Sequence, residues 1–367
     1  MTRARLRDLG ITIGTLPTGP LNAITDVEGV LVGHLTLIQD QPAVVRTGIT
    51  VILPRQGQIG NDYAFASYHR FNGCGEMTGL PWLEETGLLS SAIALTNTLQ
   101  VGMVRDALSE YSWTVHPERG PYFLPVVAET YDGWLNDLSA HALTAGHLAA
   151  AMEAAHAGPV VEGCVGGGTG MICHSFKGGI GTSSRRVETK GGVFTLGALV
   201  QTNYGDRAQL RVDGVPVGRE IGFDKVPSPW QAVEPQPDPS PHSSIIIILA
   251  TDAPLLPMQC QRLAQRAAIG LGRTGGIGQS TSGDLFLAFA TGNHIPAHPE
   301  GGLVKLDSML PISEMDPLCE ATAEAVEEAI LNALCAAETM TGQQGRVAYA
   351  LPLEELKRIW EKYRGQR

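Results

Sequence analysis

Residues 242–255 read HSSIIIILATDAPL, and this stretch decides the fold of the chain. Four isoleucines and a leucine follow Ser244 with no polar residue among them. A strand that is apolar on both faces belongs inside a sheet, where both faces are covered. We therefore expect a buried central strand that begins at Ser244 or next to it.

The segment before this strand, residues 227–243, is rich in proline. Six prolines fall within fifteen residues, from Pro227 to Pro241, so the segment forms neither a helix nor a central strand. On composition alone it is a surface linker between two domains. It also places a hydroxyl residue at the start of a buried strand. That arrangement suits self-cleavage, because the loop supplies the bond to be cut while the strand holds the attacking serine.

The rest of the chain predicts an α/β layered sandwich. Short β-branched runs between glycine-rich turns predict strands of a mixed sheet near residues 29–32, 48–53, 91–95 and 125–128. Apolar residues at three- and four-residue spacing predict helices over residues 135–152, from Pro257 to about residue 270, and from Ser313, as the capping residue, to a stop near Gly342. Helices that pack on strands give layers. Length alone permits one domain or two.

The charge and hydropathy of the chain exclude several classes of partner. Among 367 residues, 26 basic and 37 acidic side chains give a formal charge of −11, which repels a phosphate backbone or an anionic membrane surface. No apolar run approaches the roughly 20 residues of a membrane span, and no secretory signal is visible near the first residue. We expect a cytoplasmic protein with no nucleic-acid partner and no membrane partner.

Metal and cofactor signatures are missing from the sequence. The six cysteines are scattered without a C-x-x-C pair, which predicts reduced, buried thiols. The histidines form no H-E-x-x-H or comparable cluster, so we expect no metal. The glycine-rich stretch Gly166–Gly170 is not followed by Lys-Ser/Thr at the spacing of a phosphate loop, and we interpret it as a tight turn near the active site. No cofactor is expected.

Ser244 could combine two catalytic functions if the chain were cut before it. The new α-amine would have a pKa of roughly 7.7 to 8.0, close enough to neutrality to accept the proton of the serine's own hydroxyl. No histidine is then required. The alternative is that Ser243 and Ser244 merely begin a core strand.

Several blocks of sequence resemble one known family in its own order. They are residues 19–27, 129–133, 166–171, 177–182, 201–205, the stretch that begins at Ser244, and residues 282–284. Together they resemble the L-aminopeptidase/D-esterase family, which includes the β-peptidyl aminopeptidases. The resemblance implies a single-domain α/β/β/α sandwich of the N-terminal-nucleophile type. It also implies a cut before Ser244 into an α chain, 1–243, and a β chain, 244–367, that stay together, with residues 227–243 as an activation loop.

The resemblance assigns catalytic roles to five residues. Ser244 is the nucleophile, and Ser282 and Asp284 are the hydroxyl and the acid beside it. Asn203 falls on the oxyanion position, where an amide N–H stabilises charge on the carbonyl oxygen, and Tyr131 lies near the same place and could donate its hydroxyl. Without the resemblance, Ser282-Gly283-Asp284 and Asn203 would be turn residues, and the tyrosine could simply line a pocket.

The resemblance also assigns substrate recognition to Glu129, as the acid that binds the substrate's free amino group. An exopeptidase must recognise that positive charge, and a buried carboxylate does so by pairing with it. The alternative is a structural ion pair.

Two positions depart from the family pattern: Ser243 stands where glycine or asparagine is expected, and Asp284 where glutamate is expected. A cut shifted to the bond before Ser243 stays open.

The function that the resemblance implies is a self-cleaving serine aminopeptidase, amidase or esterase. It would remove N-terminal α- or β-amino acids from small peptides, amides and esters, and would act as a homo-oligomer of αβ units. Two other interpretations compete with it. One is an acyltransferase like ornithine acetyltransferase, which normally has threonine at the cut, and the other is an unprocessed binding protein without enzymatic activity.

Overall fold

A computed structural model of the protein describes residues 3–115, 124–230 and 243–365. The strands are β1 (Leu31–Gln39), β2 (Val45–Leu53), β3 (Asp62–Arg70), β4 (Leu88–Leu89), β5 (Ile93–Asn97), β6 (Val126–Thr130), β7 (Ile172–Cys173), β8 (Phe176–Lys177), β9 (Gly179–Thr189), β10 (Gly192–Asn203), β11 (Ser244–Thr251), β12 (Gly283–Pro296), β13 (Met340–Thr341) and β14 (Val347–Ala348). The helices are α1 (Leu80–Thr86), α2 (Val101–Val115), α3 (Ala145–Glu153), α4 (Val217–Glu220), α5 (Pro257–Arg273), α6 (Asp316–Ala336) and α7 (Leu353–Arg364).

The isoleucine strand lies inside the larger of two main sheets, as the sequence predicts. This sheet has six strands in the order β4-β3-β12-β11-β10-β9. β11 pairs antiparallel with β10 and parallel with β12. Ile245 and Ile247 pack on one face of the sheet with residues of α5 and α6, whereas Ile246 and Ile248 pack on the other face. Both faces of β11 are therefore buried.

The second main sheet has four strands in the order β1-β2-β5-β6. One of its faces packs with α2 and α3, and the other shares an apolar core with Ile246 and Ile248 of β11. On the far side of the six-stranded sheet, α6 lies directly on β9, where a Cβ on Gly181 would come within 2.0 Å of the carbonyl oxygen of Ala329. The order of layers is helices, sheet, sheet, helices, which confirms the predicted α/β/β/α sandwich.

Two predicted helices differ from the structure at their boundaries. Residues 135–144 are not part of an α-helix. Asp137 caps a short 3₁₀ helix, Leu138–Ala140, by accepting hydrogen bonds from Ser139, His141 ends it with φ 42°, and α3 begins only at Ala145. The last long helix begins at Asp316 rather than after Ser313, which lies in a preceding 3₁₀ turn, and it ends at Ala336 rather than near Gly342. The predicted helix after Pro257 is confirmed as α5 and continues to Arg273.

The cysteines are all free, but not all of them are buried. Cys173, Cys260 and Cys335 are buried, Cys164 and Cys319 are half-buried, and Cys74 is exposed. The prediction of buried thiols is thus wrong for Cys74, which lies on a loop and not in a core element.

Most of the proline segment, residues 231–242, lies outside the described residues. Among the helices that the structure describes, none is both long enough and apolar enough to cross a bilayer.

Candidate active site

Three strand ends meet at one edge of the six-stranded sheet. Asn203 is the last residue of β10 and lies opposite Ser244, the first residue of β11. Ser244 lies beside Gly283, the first residue of β12. Since β11 is antiparallel to β10 and parallel to β12, one carboxyl end and two amino ends fall together. The register of the sheet therefore brings together segments that are far apart in sequence.

The hydroxyl of Ser244 lies against the peptide bond that precedes it. Its Oγ donates a hydrogen bond of 2.6 Å to the carbonyl oxygen of Ser243. The same carbonyl oxygen accepts the N–H of Gly283 at 3.0 Å, and the Gly283 nitrogen is also 3.3 Å from Ser244 Oγ. Both serines are buried. A hydroxyl oxygen and a donor to the carbonyl thus meet at the Ser243–Ser244 bond.

A chain of hydrogen bonds continues from this bond through Ser282 to Asp284. Ser282 Oγ donates to Asp284 Oδ1 at 2.6 Å and lies 3.3 Å from Ser243 Oγ. Asn72 Nδ2 donates to the other carboxylate oxygen at 3.0 Å. Burial raises the pKa of Asp284 above its ordinary value, and the hydrogen bonds from Ser282 and Asn72 oppose that effect by stabilising the charged form. The structure therefore brings Ser282 and Asp284 to the predicted nucleophile.

The side-chain amide of Asn203 is oriented by a neighbouring backbone group. Its Oδ1 accepts the N–H of Ile172 at 2.8 Å, which makes the Nδ2 end of the side chain its donor end. Ile172 lies two residues after the glycine-rich stretch Gly166–Gly170. The fully buried ammonium of Lys177 donates to the carbonyl oxygens of Met171 and Gly178, both at 2.8 Å. The turn therefore supports Asn203 through Ile172.

A cavity of about 450 Å³ opens beside Ser244. It is lined by the loop of residues 73–76 and by Thr98, Glu129, Tyr131, Ser243, Ser244 and Thr281. Glu129 and Tyr131 come from the end of β6 in the four-stranded sheet. Ser282 and Asp284 line a separate, much smaller recess that Ser243 also borders. The cavity thus joins two of the predicted residues to the predicted nucleophile across the two sheets.

Glu129 is a buried carboxylate held by uncharged donors. Its side chain accepts hydrogen bonds from the N–H of Glu76, at 2.9 Å, and from the hydroxyl of Thr98. Burial raises its pKa, and these two hydrogen bonds only partly offset that effect. Within residues 3–115, 124–230 and 243–365, no Lys, Arg or His side chain forms an ion pair with Glu129. The described residues therefore do not support the alternative in which Glu129 is part of a structural ion pair.

The sequence did not point to Asn72, to the N–H of Gly283 or to the loop of residues 73–76. This loop lies directly on the start of β12: a Cβ on Gly283 would come within 2.4 Å of the carbonyl oxygen of Cys74. Only glycine permits that approach at Gly283. The only trace of this contact in the sequence is that glycines stand on both sides of Cys74 and between Ser282 and Asp284. Their contact across more than two hundred residues cannot be recognised from spacing.

Comparison with known families shows to which family the chain belongs. A family model described as Peptidase family S58 matches residues 22–348. The chain belongs to peptidase family S58. The resemblance to the L-aminopeptidase/D-esterase family is thereby confirmed.

Relatives of this S58 chain share its length and its fold. It is 44% identical over 374 residues to the β-peptidyl aminopeptidase BapA of Sphingosinicella microcystinivorans, covering 98% of this chain and 92% of that protein. A β-aminopeptidase from Burkholderia sp. is 49% identical with a TM-score of 0.89, covering 98% of this chain and 99% of its own. The L-aminopeptidase D-Ala-esterase/amidase of Ochrobactrum anthropi, described as a prototype of the serine aminopeptidases and a variant of the Ntn hydrolase fold, is 41% identical with a TM-score of 0.89 over 98% of both chains.

This S58 chain is accordingly a hydrolase, a serine aminopeptidase with an Ntn-type fold. The family is a peptidase family, which sets aside the interpretations of the sequence as an acyltransferase or as a protein without enzymatic activity.

Replacing Asn72 by alanine is expected to move the acidic limb of the pH profile of this S58 peptidase to higher pH. Asn72 stabilises the ionised form of Asp284, so its removal raises the pKa of that carboxyl further. Activity that needs the carboxylate is then lost earlier as the pH falls. Asn72→Asp should move the limb further still, because it places a second negative charge beside the first.

The measurement is kcat/KM as a function of pH for the wild type and both variants. Asn61→Ala, a change of an exposed asparagine in the loop before β3, serves as the control. Superimposable profiles for Asn72→Ala and the wild type would separate Asn72 from the site.

Proposed function

We propose that this aminopeptidase cuts its own backbone between Ser243 and Ser244, and that Ser244 then acts as the N-terminal nucleophile. The observation that carries the proposal is the geometry of that bond. Ser244 Oγ lies 2.6 Å from the Ser243 carbonyl oxygen, and the N–H of Gly283 donates to the same oxygen. These contacts belong to the carbonyl of Ser243 and so support the cut before Ser244. The carbonyl of the alternative bond belongs to His242, which lies outside the described residues.

Self-cleavage at this bond is an acyl shift followed by hydrolysis. Ser244 Oγ attacks the carbonyl carbon of Ser243, the C–N bond breaks, and the hydroxyl proton passes to the nitrogen of Ser244. Water then attacks the resulting ester: its hydroxide part stays on Ser243 as a new carboxyl group, and a proton returns to Ser244 Oγ. Negative charge grows on the Ser243 carbonyl oxygen in both steps, where the N–H of Gly283 stabilises it.

The mature enzyme carries the base and the nucleophile on one residue. The α-amine of Ser244 would have a pKa near neutrality, roughly 7.7 to 8.0, and accepts the proton of its own hydroxyl during attack on a substrate. Ser282, held by Asp284, lies at the upstream side of Ser244 and can hydrogen-bond this amine. Asn203 is proposed as an oxyanion donor through Nδ2, with Tyr131 as a second donor or as a wall of the cavity.

Glu129 is proposed to bind the ammonium group of the substrate. It lies in the same cavity as Ser244, is buried, and has only uncharged donors among the described residues. A desolvated carboxylate without a cation favours a ligand that brings one. Peptides, amides and esters with a free amino terminus meet this requirement, whereas acylated ones do not.

The names of the relatives support β-amino acids as one class of N-terminal residue. The Sphingosinicella and Burkholderia proteins, at 44% and 49% identity, are named β-peptidyl aminopeptidase and β-aminopeptidase, and the Ochrobactrum protein, at 41%, is named for L-amino acid and D-Ala substrates. We propose that this chain accepts both β- and α-aminoacyl amides, with the β class preferred. A cytoplasmic location, inferred from the sequence, stays a prediction.

A homo-oligomer of αβ units is also proposed. Five apolar side chains in the stretch between β12 and α6 are exposed, namely Leu303, Val304, Leu306, Met309 and Ile312. Neighbouring exposed apolar side chains of this kind mark contact surfaces more often than free surface, and a second copy of the chain offers the same apolar stretch in return. Light scattering of the purified protein measures this directly, and a mass of a single αβ unit would contradict it.

Replacing Ser244 by alanine is expected to abolish both self-cleavage and aminopeptidase activity, because one oxygen performs both attacks. Intact-mass measurement and N-terminal sequencing of the wild type should show two chains, the smaller beginning Ser-Ile-Ile-Ile-Ile. The variant should remain one folded chain, with a cooperative thermal transition as the control for folding. An active wild type that runs as one full-length chain would refute self-cleavage before Ser244.

Replacing Glu129 by glutamine is expected to reduce the preference for free-amine substrates. For the wild type, N-acetylation of a β-alanyl or L-alanyl anilide should lower kcat/KM, since leaving a buried charge without its partner costs about 2 to 5 kcal/mol. In Glu129→Gln the same acetylation should cost much less, and the four values of kcat/KM give the coupling. Glu110→Gln, on the exposed face of α2, is the control. Full retention of the preference in Glu129→Gln would mean that the amine is recognised elsewhere.

A further inference from the structure

Ser243 has two separate attachments at the edge of the sheet, one through its backbone and one through its side chain. Its carbonyl oxygen accepts hydrogen bonds from Ser244 Oγ and from the N–H of Gly283. Its hydroxyl oxygen lies 3.3 Å from Ser282 Oγ. Ser243 itself is only 3% exposed. Glycine or asparagine was expected at this position, so the hydroxyl is a feature of this chain that the proposed mechanism does not yet use.

The hydroxyl of Ser282 contacts two acceptors. It donates to Asp284 Oδ1 at 2.6 Å and to Ser243 Oγ at 3.3 Å, so its one proton is shared between a short and a longer hydrogen bond. The second oxygen of Asp284 accepts from Asn72. The side chain of Ser243 is thereby linked through Ser282 to a carboxylate that is itself held in place.

We propose that Ser243 is a positioning residue for self-cleavage, which holds the bond to be cut through its own hydroxyl. The inference rests on the proposed cut before Ser244. With the carbonyl held by Gly283 and the side chain held by Ser282, the peptide plane between residues 243 and 244 is fixed relative to Ser244 Oγ. A residue without the hydroxyl keeps only the backbone attachment. The attacking geometry is then populated for a smaller share of the time.

The same contact differs between the precursor and the mature enzyme. Before the cut, the hydroxyl of Ser282 donates to Ser243 Oγ. After the cut, Ser243 is the carboxyl end of the α chain, and its departure leaves Ser282 Oγ to hydrogen-bond the new α-amine of Ser244. Ser282 thus serves the precursor by holding Ser243 and serves the mature enzyme by holding the amine.

The test follows the rate of self-cleavage in full-length chains made by cell-free translation, sampled over time and separated under denaturing conditions. Ser243→Ala is expected to cleave about tenfold more slowly than the wild type, the size of effect that one lost hydrogen bond has. Ser243→Thr keeps the hydroxyl and should cleave at close to the wild-type rate. Ser280→Ala, a change of an exposed serine two residues before Ser282, is the matched control.

Folding is checked in a background that cannot cleave. The thermal midpoints of Ser244→Ala and of Ser243→Ala combined with Ser244→Ala should agree closely. Wild-type cleavage by Ser243→Ala, or slow cleavage by Ser243→Thr in a chain of unchanged stability, would overturn the proposal. A large fall in the midpoint together with slow cleavage would overturn it as well, since Ser243 would then support the fold and not the cut. A wild type that never cleaves would instead refute the cut itself.

Discussion

The side chains of β11 pack on both of its faces, so the strand cannot leave its neighbours without exposing isoleucine to water. Each buried isoleucine contributes about 1.5 to 3 kcal/mol, but two apolar faces do not by themselves fix the register, because a slip by one residue would exchange one apolar face for another. Polar contacts at the far end of the strand fix it. Thr251 Oγ1 donates to the carbonyl oxygen of Thr195, and Asp252 Oδ1 accepts the N–H of the same residue. With that end set, Ser244 must fall between Asn203 and Gly283.

Buried carboxylates have two different kinds of partner in this molecule. In the helical layer, Glu324 and Glu328 of α6 are paired with the fully buried guanidinium of Arg185, at 2.8 Å each. At the site, Asp284 and Glu129 are held only by uncharged donors in the described part of the chain, and burial raises the pKa of both. The missing positive charge is supplied by the reaction itself in the proposed mechanism, by the α-amine of Ser244 near Asp284 and by the ammonium of the substrate near Glu129. A resident cation at either place would compete with that supply.

The sequence predicts the elements whose evidence is local and misses those whose evidence is distant. The isoleucine run is sufficient for β11 and for its position inside a sheet, and the apolar spacing after Pro257 is sufficient for α5. The same spacing over residues 135–152 correctly predicts α3 from Ala145 onward, but it is misleading over residues 135–144, where a side chain that accepts a hydrogen bond from its own turn competes with the helix. Asn72 is out of reach of any such pattern, since its bond to Asp284 spans 212 residues. The family blocks place Ser282, Asp284 and Glu129 in one region, but the donors that set their charge come from loops without periodicity.

In the proposed mechanism two reactions share one set of groups at this edge of the sheet, and their different needs explain how the site is divided. In the proposed self-cleavage the reacting carbonyl belongs to Ser243, whose nitrogen is part of a peptide bond and carries no charge. That step therefore offers Glu129 no ammonium group to bind, and the groups that the proposed cut requires are those that contact the bond itself. In the proposed mechanism, hydrolysis of a substrate reuses Ser244 and the donor at Gly283, and adds the cavity with Glu129 for a charged amine. In the proposed mechanism the nucleophile and the donor at Gly283 thus lie on the six-stranded sheet, whereas the carboxylate that would select the substrate lies on the four-stranded sheet, next to Tyr131. Because Glu129 and Ser244 are held by different sheets, this mechanism allows the substrate-selecting residues to vary without disturbing the proposed cut that creates the nucleophile.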